Sequence, residues 1–204
     1  EELATALAKK WPTLDVDPIQ GDYFKSLKQI PHQPNTQKVV LFMGGNIGNL
    51  DMEEASVFLR VLASHLHKGD LLMIGFDLKK DPQVILDAYN DQQGITRAFN
   101  LNLLNRINRE LGGNFNKDNF KHWPTYNPLT GATKSYLVSV KAQDVFIEAI
   151  GKTYHFEAHE AIDMELSQKY SLTDIQHLAA KSGFTVKKNY MDRRNYFVDS
   201  LWQI

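Results

Sequence analysis

Two short apolar runs stand in the first half of the chain, and each predicts a buried β-strand. The first spans Val39 to Phe42 and the second Asp70 to Phe76. Between them apolar residues recur at the spacing of a helix, at Ala55, Phe58, Leu59, Leu62 and Leu66. Asp51 and Glu54 form a capping-box pattern at the start of this helix. A strand, a loop, a helix and a second strand make a βαβ unit, which predicts an α/β fold.

The loop after the first strand, Gly44 to Asn49, is the first candidate ligand site. Open α/β sheets bind ligands beyond the carboxyl ends of their strands, where glycine lets backbone and ligand approach closely. Gly44, Gly45 and Gly48 lack the spacing of a dinucleotide-binding fingerprint, so a plain tight turn is an equally good interpretation. The carboxamide of Asn49 offers both a donor and an acceptor to a zwitterionic ligand.

The middle of the chain predicts an inserted domain with a sheet of its own. A short helix over Pro82 to Tyr89 precedes a longer one, whose apolar stripe is Ile95, Phe99, Leu103, Ile107 and Leu111. An aromatic-rich loop follows at 115–126, and then Ser135 to Val140 and Val145 to Ile150 predict a hairpin. We therefore expect residues 80–167 to form an inserted α+β domain on the α/β core.

The end of the chain returns to the pattern of its first half. Leu172 to Lys181 predicts a helix, Phe184 to Tyr190 a strand, and Tyr196 to Ile204 a last strand after a turn. We expect residues 1–79 and 168–204 to form one core. This ending resembles that of the class I methyltransferase sheet, although the spacing alone indicates only two paired strands.

Charge and composition narrow the range of functions. The chain has 23 Lys and Arg against 24 Asp and Glu, a formal net charge of −1, and no basic run. This argues against a dedicated surface for nucleic acid or for an anionic membrane. There is no cysteine, which removes disulfides and thiolate chemistry, and no apolar segment of membrane-spanning length. We expect a cytoplasmic protein whose partner is a small molecule.

Two polar residues near the end of the insertion form a candidate binding pair. Glu165 and Ser167 are two positions apart, so in an extended segment both side chains point to one face. A carboxylate and a hydroxyl placed in this way can hold the two nitrogens of a neutral imidazole. A solvated glutamate and a helix-capping serine are the plain alternative.

The histidines give little support for a metal site. His155 and His159 have the i, i+4 spacing of a metal-binding pair on a helix, and Glu160 adds a carboxylate. The segment around His155, however, predicts a strand rather than a helix. His65 and His67 lie near a helix end, where surface histidine is favourable. We therefore expect no metal.

A resemblance to one enzyme family runs over nearly the whole chain. It is carried by four segments: FMGGNIGN (42–49), GDLLMIGFDLKKDP (69–82), LDAYNDQQGITRAFNLNLLNRINRELGGNF (86–115) and EAIDMELSQKY (160–170). Together they resemble the S-adenosylmethionine-dependent, histidine-specific Nα-methyltransferases of ergothioneine biosynthesis. The resemblance implies a class I methyltransferase (Rossmann-like) sheet, S-adenosyl-L-methionine (SAM) as co-substrate without a metal, and successive methylation of the α-amine of histidine to hercynine.

The same resemblance implies roles for residues in the first half of the chain. Asp22 and Tyr23 match the acidic-aromatic step that meets the adenine of the cofactor. Asn49 and Tyr89 match an asparagine and a tyrosine that bind the amino-acid end of the substrate.

In the second half, the resemblance supports the imidazole pair. Glu165 and Ser167 match the two residues that grip the imidazole, with Leu166 between them. Gly44 and Ser135 are expected to line the pocket. No residue is identified as the general base of the reaction.

Two departures from the family pattern leave other functions open. The family commonly has a methionine where this chain has Ser135, so a methyltransferase for another small amine is one alternative. The family's glycine-rich first motif and ribose-binding acid are expected before Glu1, so we predict a sheet that is incomplete at its N-terminal strands. A non-catalytic binding or interaction domain is then the other alternative. An incomplete sheet edge also predicts a homodimer.

Overall fold

The computed structural model describes residues 2–21, 25–26, 29 and 36–204. Within these residues the helices are α1 (Glu2–Lys10), α2 (Met52–Ala63), α3 (Pro82–Tyr89), α4 (Ile95–Leu111) and α5 (Leu172–Lys181). The strands are β1 (Val39–Phe42), β2 (Leu71–Asp77), β3 (Phe120–Tyr126), β4 (Ala132–Ser139), β5 (Gln143–Ile147), β6 (Lys152–Phe156), β7 (Ala161–Gln168), β8 (Thr185–Met191) and β9 (Phe197–Gln203). Asp22 and Tyr23, the expected adenine contacts, lie outside the described residues.

The larger sheet has the strand order β1-β2-β9-β8. β1 and β2 are parallel, which confirms the predicted βαβ unit, and β9 is antiparallel to both of its neighbours. The two strands predicted at the end of the chain are therefore present, and the last one lies between β2 and β8. This mixed α/β sheet confirms the fold class that the resemblance implies. In the described part of the chain, β1 pairs only with β2, and Val39 and Leu41 are exposed.

A continuous apolar core supports this sheet. Helix α2 begins with the predicted capping box, because Asp51 accepts hydrogen bonds from the backbone of the first turn while Glu54 accepts one from the Asp51 backbone. Its apolar side packs against α5 and the sheet. Trp202 of β9 is fully buried and stacks on Phe76 of β2 with ring centroids 5.7 Å apart. Each such buried side chain contributes about 1.5–3 kcal/mol of hydrophobic stabilisation.

The segment between β2 and α5 builds two smaller sheets. One has the order β3-β4-β7 and is antiparallel throughout, and the other pairs β5 with β6. Helix α4 packs on the first of these, where Leu104, Phe120 and Leu137 form a second apolar cluster. The chain leaves the larger sheet after β2 and returns at Tyr170, whose backbone forms an isolated parallel bridge with Leu78.

The predicted hairpin between 135–140 and 145–150 is wrong. β4 pairs with β3 and β7, whereas β5 pairs with β6, so the two predicted partners belong to different sheets. The chain turns away at Ser139, whose hydroxyl donates to the carbonyl of Lys141 and accepts from the Gln143 side chain. The predicted aromatic loop at 115–126 is also wrong in its second half, which is strand β3.

The apolar stripe predicted for α4 is only partly a packing surface. Ile95 and Phe99 are 64% and 72% exposed, whereas the helix buries Asn100 and Leu104. The buried side is therefore rotated from the predicted stripe. Phe99 and Leu103 contribute instead to the wall of a cavity.

Candidate active site

The glycine loop after β1 brings the larger sheet close to strand β7. Gly44 and Gly45 both have positive φ, of 78° and 74°, a backbone conformation that side chains other than glycine rarely adopt. The chain then forms a 3-10 turn over Asn46–Asn49. A Cβ atom added at Gly48 would lie 2.9 Å from the carbonyl oxygen of Gln168, so only glycine permits this approach. The loop thereby places Asn49 beside the strand that carries Glu165.

A cavity of about 450 Å³ lies between this loop, helix α4 and strand β7. Its wall includes Asn49, Met164, Glu165 and Leu166, together with Phe99 and Arg106 from α4. The structure thus brings together three of the predicted substrate-binding residues, Asn49, Glu165 and Leu166, from distant parts of the sequence. A cavity of this size and mixed polarity is typical of small-molecule sites.

A second cavity, of about 650 Å³, meets the first at Asn49. It lies along α2 and the carboxyl end of β1, and its wall includes Phe42, Asn46, Val57 and Phe58. Its volume falls within the range of about 300–1,000 Å³ that holds cofactors and similar ligands. The carboxamides of Asn46 and Asn49 and the carboxylates of Asp51, Glu53 and Glu54 supply polar groups beside apolar walls. The described residues therefore fit one side of a site for a nucleoside-containing cofactor such as SAM.

The hydroxyls of Ser167 and Tyr89 both accept a hydrogen bond from Lys169, a residue that was not predicted from the sequence. The Nζ atom of Lys169 lies 2.6 Å from Oγ of Ser167 and 2.8 Å from Oη of Tyr89. It also lies 2.9 Å from Oδ2 of Asp77, at the carboxyl end of β2. Lys169 is only 2% exposed. A buried ammonium of this kind is stable only because each of its donors has a partner.

Asp77 is shared by two lysines. Its Oδ1 atom lies 2.5 Å from Nζ of Lys80, while Oδ2 pairs with Lys169. Two ammonium groups and one carboxylate leave one positive charge in this cluster. Burial raises the pKa of the nearby Tyr126 phenol, and the charge of Lys169 opposes that rise. The cluster favours an anionic group at the hydroxyl of Tyr89.

Ser135 lies directly opposite Glu165 in the pairing of β4 with β7. It is buried, and its Oγ atom lies 3.3 Å from Nε2 of His122 on β3. Burial lowers the pKa of His122, and the charge of Arg97 lowers it further. Since a neutral imidazole has one donor and one acceptor nitrogen, Ser135 and His122 form an uncharged polar pair beside Glu165.

Gly44 lies against the larger sheet, and the structure does not place it in the wall of either cavity at Asn49. A Cβ atom added at Gly75 of β2 would lie 3.2 Å from the Gly44 backbone nitrogen and 2.7 Å from the Phe197 ring. Because Gly75 has no side chain, the backbone of the loop at Gly44 can pass closely over the end of the sheet.

The histidines discussed as metal ligands lie apart from this site. His155 is on strand β6, as predicted, and its Nδ1 atom lies 2.7 Å from Oδ1 of Asp144, while His159 has a positive φ of 70° in a turn. The hydrogen bond to Asp144 raises the pKa of His155. Within the described ranges, no group of three or more His, Cys, Asp or Glu side chains is arranged to hold a metal ion. The helices of the same ranges include none long and apolar enough to cross a membrane.

Lys169 could have been found from the sequence by extending one pattern. Glu165 and Ser167 were selected because alternate residues of a strand share a face, and Lys169 is the next position in that series. A lysine is almost never fully buried, so the series itself gives no reason to include Lys169. Its partner Asp77 is distant in sequence and carries no local signal.

This chain is similar to known proteins of one enzyme family. A family model described as histidine-specific methyltransferase, SAM-dependent, matches residues 1–204. The chain is 34% identical over 178 residues to a histidine N-alpha-methyltransferase of Mycolicibacterium smegmatis, a match of 87% of this chain and 55% of that protein. It is 28% identical over 165 residues to ergothioneine biosynthesis protein 1 of Schizosaccharomyces pombe, covering 80% of this chain and 21% of that protein.

Among solved structures, a SAM-dependent methyltransferase from Clostridium acetobutylicum aligns with 100% of this chain and 72% of its own, with a TM-score of 0.47 and 10% identity. The chain spans about half the length of the mycobacterial relative, 55%. The family model, in contrast, matches the chain from end to end. The chain belongs to the SAM-dependent, histidine-specific methyltransferase family.

Proposed function

We propose that this chain carries the amino-acid side of a SAM-dependent N-methyltransferase that acts on the α-amine of L-histidine or a related amino acid. The observation that carries the proposal is the position of Asn49 in the walls of both cavities. A methyl donor in one cavity and an amine in the other would meet at this residue. Methyl transfer from a sulfonium is an in-line displacement, for which such an end-to-end arrangement is required.

The amino-acid end of the substrate is assigned to Asn49 and Tyr89. The carboxamide of Asn49 can accept from the amine and donate to the carboxylate, and the Tyr89 hydroxyl can donate to the carboxylate. The positive charge left in the Asp77 cluster supports an anionic group there. These residues orient the amine, and the apolar side chains of Phe99, Leu103 and Leu166 shield one side of the cavity from water. When bound, SAM supplies the activated methyl group.

The side-chain end of the substrate is assigned to Glu165 and Ser167, with Leu166 in the wall between them. A carboxylate accepts the N–H of a neutral imidazole, and the serine hydroxyl donates to the other nitrogen. An analogue without the N–H leaves the carboxylate unpaired, which is the basis of selectivity. Ser135, opposite Glu165, is proposed to border this end of the pocket.

Further parts of the proposal rest on the resemblance and on the sheet topology. We assign the adenine of SAM to Asp22 and Tyr23, no metal to the reaction, and residues 80–167 to a substrate-binding domain inserted into the core of 1–79 and 168–204. The exposed outer edge of β1 is a surface on which two copies can pair. A cytoplasmic location and a small-molecule partner, without nucleic acid or membrane, complete the assignment.

A second candidate function is favoured by Ser135. Its hydroxyl and His122 place an uncharged polar pair at the position where the family commonly has a methionine. Such a pair suits a substrate whose side chain carries a further polar group, and the enzyme would then methylate another small amine. A panel of amino acids distinguishes the two substrates, because the first proposal requires histidine to be preferred.

Calorimetric titration of histidine tests the proposal, with and without S-adenosylhomocysteine. It is performed on this chain and on the product of the complete gene. We expect the gene product to bind both ligands, and E165Q to lose histidine while it retains S-adenosylhomocysteine. Absence of binding for both ligands would overturn the proposal and favour a non-catalytic binding or interaction domain.

A further inference from the structure

The three donors of Lys169 are all committed inside the protein. An ammonium group has three N–H donors and no acceptor. Its three partners come from three separate elements: Asp77 of β2, Tyr89 of α3 and Ser167 of β7, at 2.9, 2.8 and 2.6 Å. Lys169 also lies over the Tyr89 ring, 4.9 Å from its centroid. The ammonium therefore fixes these three side chains relative to one another.

This arrangement determines which way two hydroxyl groups point. Because Lys169 can only donate, Oγ of Ser167 and Oη of Tyr89 must both accept from it. Each hydroxyl hydrogen is then directed away from the ammonium. In the described part of the chain neither hydroxyl has another hydrogen-bond partner. Both hydrogens are consequently available to a ligand.

We infer that Lys169 is a positioning residue that turns Ser167 and Tyr89 into hydrogen-bond donors toward the substrate, and thereby selects a neutral imidazole and a carboxylate. This inference rests on the proposed function. Glu165 precedes Ser167 by two positions on β7, so the pair presents one acceptor and one donor. A neutral imidazole has the complementary donor and acceptor.

The net positive charge of Lys80, Lys169 and Asp77 also favours a neutral imidazole and a carboxylate. An imidazolium would present two N–H groups, so Ser167 could bind it only through its one remaining lone pair, and the hydroxyl hydrogen would lose its acceptor. The imidazolium would also lie near the positive charge that remains after Asp77 has paired with Lys80 and Lys169. A substrate carboxylate gains from both features, because it accepts from Tyr89 and is attracted by the cluster.

Histidine affinity of variants tests this inference in the product of the complete gene, with S-adenosylhomocysteine present. K169M removes the ammonium and keeps a chain of similar length, and we expect it to weaken histidine binding by about 10-fold or more. K134M is the matched control, since the Lys134 ammonium pairs with Asp163 and lies outside both the Asp77 cluster and the cavity. We expect K134M to change the affinity by less than about threefold. Affinity for S-adenosylhomocysteine should be unchanged in both variants.

The same substitution in a second variant, Y89F/S167A, distinguishes a positioning role of Lys169 from a general contribution to the stability of the fold. In Y89F/S167A the two hydroxyls are absent, so adding K169M should alter histidine affinity by less than about twofold. If Lys169 only stabilised the fold, K169M would weaken histidine binding by the same factor in both backgrounds. Equal losses in the two backgrounds, or a K169M variant that binds like the parent, would overturn the inference.

A measurement without substrate keeps the inference separate from the proposed function. The ammonium of Lys169 should give a ¹H–¹⁵N signal at neutral pH because its hydrogen-bonded, buried protons exchange slowly. K169M should remove that signal, and Y89F and S167A should each shift it. A parent protein that fails to bind histidine would overturn the proposed function, whereas absence of the ammonium signal would overturn the inference itself.

Discussion

The Nζ atom of Lys169 lies 2.9 Å from Oδ2 of Asp77, and this ion pair joins the end of β7 to the end of β2. The pair connects β7, which carries Glu165 and Ser167, with the larger sheet, from which the glycine loop extends after β1. It is asymmetric, since the lysine side chain is 2% exposed and that of the aspartate 35%. The position of the candidate substrate residues therefore depends on a charge pair as well as on apolar packing.

Removing the aspartate should destabilise the protein more than removing the lysine. D77N leaves a buried ammonium without its carboxylate, and we expect a loss of about 2–3 kcal/mol, below the value for fully buried pairs because Asp77 is partly exposed. The double variant D77N/K169M should lose less than the sum of the two single variants. Urea denaturation measures the three free energies of unfolding. Additive losses would show that the pair contributes no coupling.

Glu165 should determine the affinity for histidine. E165Q replaces an ionised acceptor by a carboxamide, and we expect binding to weaken by about 10- to 100-fold because a charge-assisted hydrogen bond is lost. D163N on the same strand is the control, since Asp163 pairs with Lys134 at 2.7 Å and lies outside the cavity. Calorimetry with histidine measures both. Equal affinity of E165Q and D163N would remove Glu165 from the site.

A side chain at Gly48 should push the loop away from β7. In G48A the new Cβ would lie 2.9 Å from the Gln168 carbonyl oxygen, and we expect about 1–3 kcal/mol of destabilisation with weaker histidine binding. G151A is the control, because Gly151 has a φ of 60° and open space around it. That variant should lose about 1–2 kcal/mol from backbone strain alone and bind histidine normally. A G48A variant with parental stability and affinity would contradict the close approach.

The buried His122 should make stability depend on pH. Burial and Arg97 lower its pKa in the folded chain, whereas the unfolded chain takes up a proton near pH 6.5. The unfolded state thus binds more protons just below that pH, so stability should fall as the pH decreases from about 6.5 toward the lowered pKa. H122Q should lose this part of the dependence, while H177Q, at an exposed position of α5, should retain it. Thermal unfolding between pH 5 and about 7.5 compares the three proteins, and identical slopes would contradict the assignment.

Local patterns were sufficient to predict the larger sheet. β1, α2 and β2 follow from two apolar runs and a capping box, and each signal lies within a few residues of the element it specifies. The two terminal strands were also predicted, and the resemblance to a methyltransferase family identified them as the end of the sheet. Their order in the sheet, with β9 between β2 and β8, was not predicted.

The strand pairing of the inserted segment was harder to predict because its strands bury small polar residues. Thr133, Ser135 and Ser139 occupy the inward positions of β4, so the alternation of hydrophobicity that marks a strand partner is weak there. Pairing was therefore predicted with the nearest apolar run. Three-dimensional contacts between β3, β4 and β7 determine the true register.

The most direct test of the account is methyl transfer from isotopically labelled SAM to histidine by the product of the complete gene. Mass spectrometry of the amino acid identifies how many methyl groups are added and on which nitrogen. The account predicts label on the α-amine of histidine and a large loss of transfer in E165Q. Label on another amine with none on histidine, or no transfer to any amine while S-adenosylhomocysteine binds, would contradict it.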